Sequence, residues 1–122
     1  MPMSSKESRM GTTAQDSEAG LLEEVVRRLA GGINPLRIYL FGSRARQDAE
    51  PDSDYDILTV VPDSEVAGHR RSQQARHLLC GLNASFDIIV LTSAEWSRQL
   101  RSGVSLANAV AREGKLIHES GA

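Results

Sequence analysis

The stretch RIYLFGSRARQDAEPDSDYD, residues 37–56, decides the fold of this chain. It opens with the short apolar and aromatic run Arg37–Phe41, which predicts a buried strand that ends at a glycine. The segment from Ser43 to about Gln47 then predicts the start of a short helix, and residues 50–53 predict a turn. A second strand is expected to begin near Asp54.

The patterning on either side predicts helices and strands that alternate along the chain. An apolar stripe with helical spacing predicts a helix that ends at Gly31 and Gly32; its members are Leu21, Leu22, Val25, Val26 and Leu29. Downstream, we predict strands over 54–61, 86–91 and 115–118. We predict helices over 64–80 and 105–113, and a further helix that begins at a capping box formed by residues 92–95. This order predicts an α/β or α+β domain, a small mixed sheet of three to four strands flanked by helices.

Length and composition indicate one globular domain. The chain has 122 residues, of which 40% are hydrophobic and 25% charged. Residues 1–17 are polar and predict a disordered N-terminal tail, which leaves 18–122 as the domain. The single cysteine, Cys80, excludes an internal disulfide framework and a Cys-rich zinc site, and we expect it to be a buried small hydrophobe.

Charge and hydropathy narrow the classes of partner. The 14 Lys and Arg against 16 Asp and Glu give a net charge of -2, which argues against a protein that coats nucleic acid. No apolar run approaches the roughly 20 residues of a membrane helix. The first residues also lack the hydrophobic core of a signal peptide. We therefore expect a cytoplasmic protein, with neither membrane association nor direct nucleic-acid binding.

Three carboxylates occupy comparable places at the starts of strands. Asp54 and Asp56 open the second predicted strand and, being two residues apart, project from the same face. Asp87 opens the third strand, whereas Gly42 and Ser43 close the first. If the first strand runs antiparallel to the other two, the glycine–serine turn and all three carboxylates meet at one edge of the sheet.

The residue types at this edge indicate phosphate and metal chemistry. Clustered carboxylates repel one another, and divalent cations such as Mg²⁺ or Mn²⁺ are the usual compensation. Gly42 allows a close backbone approach, and the following helix start offers free amides and the Ser43 hydroxyl to an anion. Arg44 and Arg46 add positive charge beside it. Together these features favour a nucleoside triphosphate, a metal and nucleotidyl transfer by two-metal catalysis.

The same residues resemble a known signature. Gly42-Ser43, ten residues and then Asp54-Tyr55-Asp56 strongly resemble the nucleotidyltransferase signature of the DNA polymerase beta superfamily. The resemblance is strongest to the minimal nucleotidyltransferases, small proteins often encoded beside a HEPN-domain partner, and covers about residues 21–119. Relatives often have glycine where this chain has Gln47, so we expect a different path for the short loop.

The resemblance implies a role for each matching residue. Asp54 and Asp56 would bridge two Mg²⁺ or Mn²⁺ ions. Asp87 would complete the shell of the catalytic ion and help to deprotonate the acceptor hydroxyl. The substrate would be ATP or another nucleoside triphosphate. The residues implied in binding it are Gly42, Ser43 and Arg44.

Alternatives remain open at this point. Asp54 and Asp56 also fit a turn and a strand edge, and the basic residues of 64–80 fit a solvated helix face. The leading hypothesis is an antitoxin that transfers a nucleoside monophosphate to a hydroxyl of a HEPN-type toxin. AMP is the nucleoside monophosphate that we favour. A second is a non-catalytic antitoxin with a vestigial nucleotide site. A third is a small-molecule nucleotidyltransferase, similar to antibiotic-modifying enzymes, that acts as a homodimer, which is the homo-oligomer we consider for this chain.

Overall fold

The computed structural model describes residues 14–50 and 53–120, where helices and strands alternate. The helices are α1 (Ala14–Gly32), α2 (Ser43–Arg46), α3 (Gly68–Leu78), α4 (Ser93–Arg101) and α5 (Leu106–Glu113). The strands are β1 (Arg37–Phe41), β2 (Tyr55–Val61), β3 (Phe86–Thr92) and β4 (Lys115–Glu119). Within these ranges, no helix has the length and apolar character needed to cross a membrane.

The four strands form one mixed sheet in the order β3-β2-β1-β4. Strand β1 runs antiparallel to both β2 and β4, and β2 runs parallel to β3. The predicted fold class is therefore confirmed. The C-terminal end of β1 consequently lies at the same edge of the sheet as the N-terminal ends of β2 and β3.

Helices cover both faces of the sheet, so that β2 is buried on each side. On one face, Leu29 of α1 and Ala75 of α3 join Ile57 in the larger core. On the other, Trp96 of α4 packs with Leu58, and α5 completes this smaller core. Each fully buried aliphatic or aromatic side chain contributes about 1.5–3 kcal/mol. This double burial explains why β2 is a nearly unbroken apolar run once past its first residues.

Some predicted boundaries move. Helix α1 begins at Ala14, so the predicted border between tail and domain, at 17/18, falls inside it. The rest of the predicted tail, residues 1–13, lies outside the described residues, as do 121 and 122. Helix α3 is shorter than the predicted 64–80, because the Ser64 hydroxyl accepts a hydrogen bond from the Val66 amide in a local turn at 3.0 Å.

The prediction for Cys80 is wrong. The thiol is exposed, because α3 ends at Leu78 and Cys80 lies in the turn that follows. Its carbonyl oxygen, like that of Leu78, accepts a hydrogen bond from the Arg28 guanidinium, at 2.8 Å and 3.2 Å respectively. Arg28 therefore ties α1 to the end of α3 and to the turn that holds Cys80.

Candidate active site

The strand register brings the glycine–serine turn and the aspartates to one edge. Phe41 pairs with Asp56 across β1 and β2, and Asp56 pairs with Asp87 across β2 and β3. Asp54 comes two residues before Asp56 and so projects from the same face. This face is the one that α4 and α5 cover farther along the sheet. The expected convergence at one edge is therefore confirmed, while the roles of these residues stay predictions.

Gly42 is in a conformation that a side chain would disturb. Its φ of 75° lies in the left-handed region that favours glycine. A Cβ atom built on Gly42 would collide with Oδ2 of Asp56 and would lie 3.1 Å from its Cγ. The backbone thus passes directly against the Asp56 carboxylate. A larger residue at 42 would have to displace it.

The short helix α2 turns the chain away from this edge. Its first turn is closed by hydrogen bonds from the Ala45 and Arg46 amides to the Gly42 carbonyl, at 3.1 Å and 3.2 Å. Gln47 caps its C-terminal end, with a φ of 66° and a ψ of 29°, a left-handed conformation. Gln47 therefore adopts, without being glycine, a conformation in which glycine carries no steric penalty.

The carboxylates at this edge act on one another. The pKa of Asp56 is raised, first by burial and then by the negative charges of Asp87 and Asp54. The charge of Arg46 opposes this rise. Asp54 and Asp87 are exposed, whereas Asp56 is half-buried beneath the turn. The edge therefore holds negative charge that the nearby arginine compensates only in part.

This donor set fits a hard divalent cation in its chemistry. Carboxylate oxygens are the ligands that Mg²⁺ and Mn²⁺ prefer. The pKa of Asp56 is raised first by burial and then by neighbouring negative charges, which such an ion would compensate. In the part of the chain that the structure describes, no three His, Cys, Asp or Glu side chains are arranged so that they could hold a metal ion. Because Asp54 and Asp87 are exposed, their side chains can change rotamer readily.

The two arginines of α2 have different surroundings. Arg46 lines a pocket of about 200 Å³ with Gly42 and also forms an exposed ion pair with Asp48 at 3.3 Å. Arg44 instead donates to the Ser53 carbonyl at 2.8 Å. The phosphate contact predicted for Arg44 stays a prediction, and Arg46 is the arginine whose charge reaches Asp56.

Helix α5 contributes to this pocket, which the sequence did not indicate. Ala109, Val110 and Glu113 line it beside Phe41 and Gly42. These α5 residues are more than sixty positions from Gly42 along the chain, and their spacing predicts only an amphipathic helix. Their position beside the glycine–serine turn depends on the contact between α5 and β1 in the folded chain, which the residue pattern of α5 does not encode.

Comparisons with known proteins agree with this geometry. The family model described as a nucleotidyltransferase domain matches residues 20–109. Among solved structures, the chain is similar to a candidate nucleotidyltransferase from Sulfolobus solfataricus, at 28% identity and a TM-score of 0.59. That match covers 82% of this chain and 78% of the other. No curated protein matches the chain.

Two further neighbours come from toxin–antitoxin complexes. One is a chain of a toxin–antitoxin with AMP-PNP, at 24% identity and a TM-score of 0.59, covering 81% of this chain and 73% of that chain. The other is a chain of a mutant MntA–HpeT toxin–antitoxin, at 23% identity and a TM-score of 0.56, again covering 81% and 73%. At these identities the likeness shows the fold alone.

Proposed function

The chain belongs to the nucleotidyltransferase domain family, and on that premise we propose that it transfers a nucleoside monophosphate from a nucleoside triphosphate to a hydroxyl group. The proposed donor is ATP, and the proposed acceptor is a hydroxyl on a HEPN-type toxin that this chain inactivates. The observation that carries the proposal is the meeting of Gly42 with Asp56 and Asp87 at one sheet edge, in register across three strands.

Different residues of the chain have different roles in the proposed reaction. Gly42 and Ser43 would hold the triphosphate, because the glycine admits it close to the backbone and the hydroxyl adds a hydrogen bond. The acceptor oxygen attacks the α-phosphorus, and the bond from that phosphorus to the bridging oxygen breaks. Pyrophosphate leaves with the electron pair, and the hydroxyl proton passes to a carboxylate oxygen of Asp87.

Asp54, Asp56 and Asp87 would hold the divalent ions, two in this proposal. A bound ion supplies charge compensation for the phosphates and lowers the pKa of the attacking hydroxyl. The pKa of Asp56 is raised first by burial and then by the like charges of Asp87 and Asp54, and this second cause supports the assignment. The exposure of Asp54 and Asp87 leaves both carboxylates accessible to a substrate from solvent.

The toxin–antitoxin setting rests on the solved neighbours. Two of them are chains of toxin–antitoxin complexes, one with AMP-PNP, an ATP analogue. A protein acceptor also suits the geometry, because the carboxylate edge is open to solvent at Asp54 and Asp87. A large acceptor can therefore approach this edge without prior opening of the chain.

Label transfer tests the proposal. The protein is incubated with α-labelled ATP and Mg²⁺ in lysate from its own host, and labelled proteins are separated by mass. We expect one labelled acceptor with the wild type. Asp54→Asn should lower labelling by at least about 100-fold while keeping the fold.

Asp63→Asn provides the matched control. Asp63 follows the opposite end of β2, and asparagine keeps the oxygen that accepts a hydrogen bond from the Ala94 amide at 2.8 Å. This variant should label its acceptor like the wild type. Full labelling by Asp54→Asn would contradict the enzymatic role.

A non-catalytic antitoxin is the second candidate. It is favoured by the solved neighbours that are chains of toxin–antitoxin complexes, since an antitoxin that binds its toxin need not transfer a group to it. In that case the chain would neutralise its partner by covering the partner's active site. Protection of host cells by Asp54→Asn, as strong as that by the wild type, would support this function over the first.

A further inference from the structure

The Arg44 side chain contacts both chain neighbours of Asp54, namely the backbone of Ser53 and the side chain of Tyr55. Its Nη2 donates to the carbonyl oxygen of Ser53 at 2.8 Å. Its guanidinium carbon lies 4.2 Å from the centroid of the Tyr55 ring. Ser53 and Tyr55 are the two chain neighbours of Asp54. One guanidinium therefore bridges the residues that flank a proposed metal ligand.

Arg44 reaches these neighbours from the face of the sheet opposite the carboxylates. The Tyr55 ring is buried in the larger core with α1 and α3, whereas Asp54 and Asp56 alternate to the other face. Arg44 also lines a cavity of about 480 Å³ on the α1 side, next to Leu22 and Leu40 of the same core. A phosphate held at the carboxylates would therefore lie across the sheet from this guanidinium.

Asp54 needs such support because it precedes the strand. Strand β2 begins at Tyr55, whose amide donates to the Ser85 carbonyl at 2.9 Å. On the other side, Ser53 closes a turn with Glu50, with its amide 3.0 Å from the Glu50 carbonyl. Asp54 itself is exposed and belongs to neither core cluster of the described residues. Its position depends on how firmly its two neighbours are held.

We propose that Arg44 is a positioning residue that fixes the backbone at Asp54, and not a ligand of the triphosphate. This inference rests on the proposed nucleotidyl transfer. An arginine suits the task because its planar guanidinium can stack on a ring and donate in its own plane at once. A lysine keeps the charge but loses the planar fork. A role in charge neutralisation and a role in positioning therefore predict different results for Arg44→Lys.

The transfer assay separates the two roles. We expect Arg44→Lys to lower the rate of transfer at saturating ATP about 10–100-fold, since small displacements of a catalytic group have effects of that size. It should also raise the Mg²⁺ concentration needed for half the maximal rate. The dissociation constant for ATP at saturating Mg²⁺ should stay within about twofold of wild type.

Variants of the ring complete the test. Tyr55→Leu removes the stacking surface and should behave like Arg44→Lys, and the double variant should be no slower than either single one. Tyr55→Phe keeps the ring and should transfer at a rate within about twofold of wild type. A tenfold weaker binding of ATP to Arg44→Lys, with an unchanged rate at saturating ATP, would overturn the proposal. Additive effects of the two single variants would do the same.

Amide hydrogen exchange gives a second readout that needs no activity. In Arg44→Lys, the Ser53 and Tyr55 amides should exchange about tenfold faster, while the Val60 amide in the same strand stays unchanged. Unchanged exchange at both flanking amides would overturn the positioning role. If the wild type labels no acceptor, the proposed function fails, and this exchange result still decides whether Arg44 holds the Asp54 backbone.

Discussion

At the scale of single residues, Asp56 shows how the candidate site opposes folding. Its carboxylate is half-buried against Gly42 and lies within reach of the charges of Asp54 and Asp87. Burial and these charges raise its pKa, so ionising Asp56 costs more in the folded chain than in the unfolded one. The protonated Asp56 carboxyl therefore favours the folded state relative to the ionised one. This stabilisation is fully present below the ordinary aspartate pKa of about 3.9 and is lost as the pH rises through the raised pKa of Asp56.

Asp56→Asn should therefore stabilise the protein at neutral pH while abolishing transfer. Asparagine keeps the shape of the side chain and removes the charge, so we expect the melting temperature at pH 7 to rise by about 2–5 °C. The gain over wild type should shrink as the pH falls through the raised pKa of Asp56, and it should vanish below the ordinary aspartate pKa of about 3.9. Melting followed by circular dichroism at several pH values, in the absence of divalent ions, measures this.

Asp48→Asn is the control for that measurement. Asp48 is exposed and pairs only with Arg46 at the surface among the described residues, so its loss should change the melting temperature by no more than about 2 °C. A lower melting temperature for Asp56→Asn at pH 7 would show that Asp56 makes favourable contacts that outweigh its unfavourable ionisation.

At the scale of elements, sequence patterns predicted the strands better than the helix between β2 and β3. Strands β1, β2 and β3 are short, largely apolar runs, and their predicted bounds shift by one residue at most. The predicted helix over 64–80 was too long at both ends, since α3 spans Gly68–Leu78. In the fold Asp63 accepts from the Ala94 amide of α4, and α3 starts after Ala67 without a side-chain cap.

The ion pair between α3 and α4 could not be predicted from the sequence, because it joins residues that are distant along the chain. Arg71 of α3 is buried and binds both carboxylate oxygens of Glu95 on α4, at 2.9 Å for the closest pair. The two residues are 24 positions apart, and no periodicity connects them. Sequence analysis found Glu95 only as half of a capping box with Thr92, which the structure contains. The same limit applied to Arg44, whose contact with Tyr55 depends on the path of the loop between them.

Glu95→Gln should destabilise the fold by about 2–3 kcal/mol. Glutamine keeps an oxygen that can accept the Thr92 amide, so the capping box survives. The charge of Arg71 is then left buried without compensation, which is among the more costly single changes. Because the Glu95 side chain is one-third exposed, we place the loss below the range for fully buried pairs. Urea unfolding measures it.

Glu113→Gln removes the same charge from an exposed pair. Glu113 lies 3.8 Å from Arg112, and both side chains are largely solvated, so the change should be below about 0.5 kcal/mol. Equal losses for the two variants would indicate that the Arg71–Glu95 pair contributes no more than a surface contact.

At the scale of the whole molecule, the candidate site lies where both cores end. Gly42 closes β1 and the aspartates open β2 and β3, and these three strands carry side chains of the larger core on one face and of the smaller core on the other. A ligand bound there contacts elements that unfold together in a small domain. Its binding energy therefore adds to the stability of the entire chain.

ATP with Mg²⁺ should accordingly raise the melting temperature of the isolated protein. At a hundredfold excess over the dissociation constant, linkage gives about 2.7 kcal/mol, or about 8–12 °C for a domain of this size. Asp54→Asn should lose most of this shift, because the metal-binding carboxylate is gone, whereas Asp63→Asn should keep it. A wild-type shift that persists in full in Asp54→Asn would mean that ATP binds elsewhere on the chain. The absence of any wild-type shift would mean that nucleotide binding needs the partner.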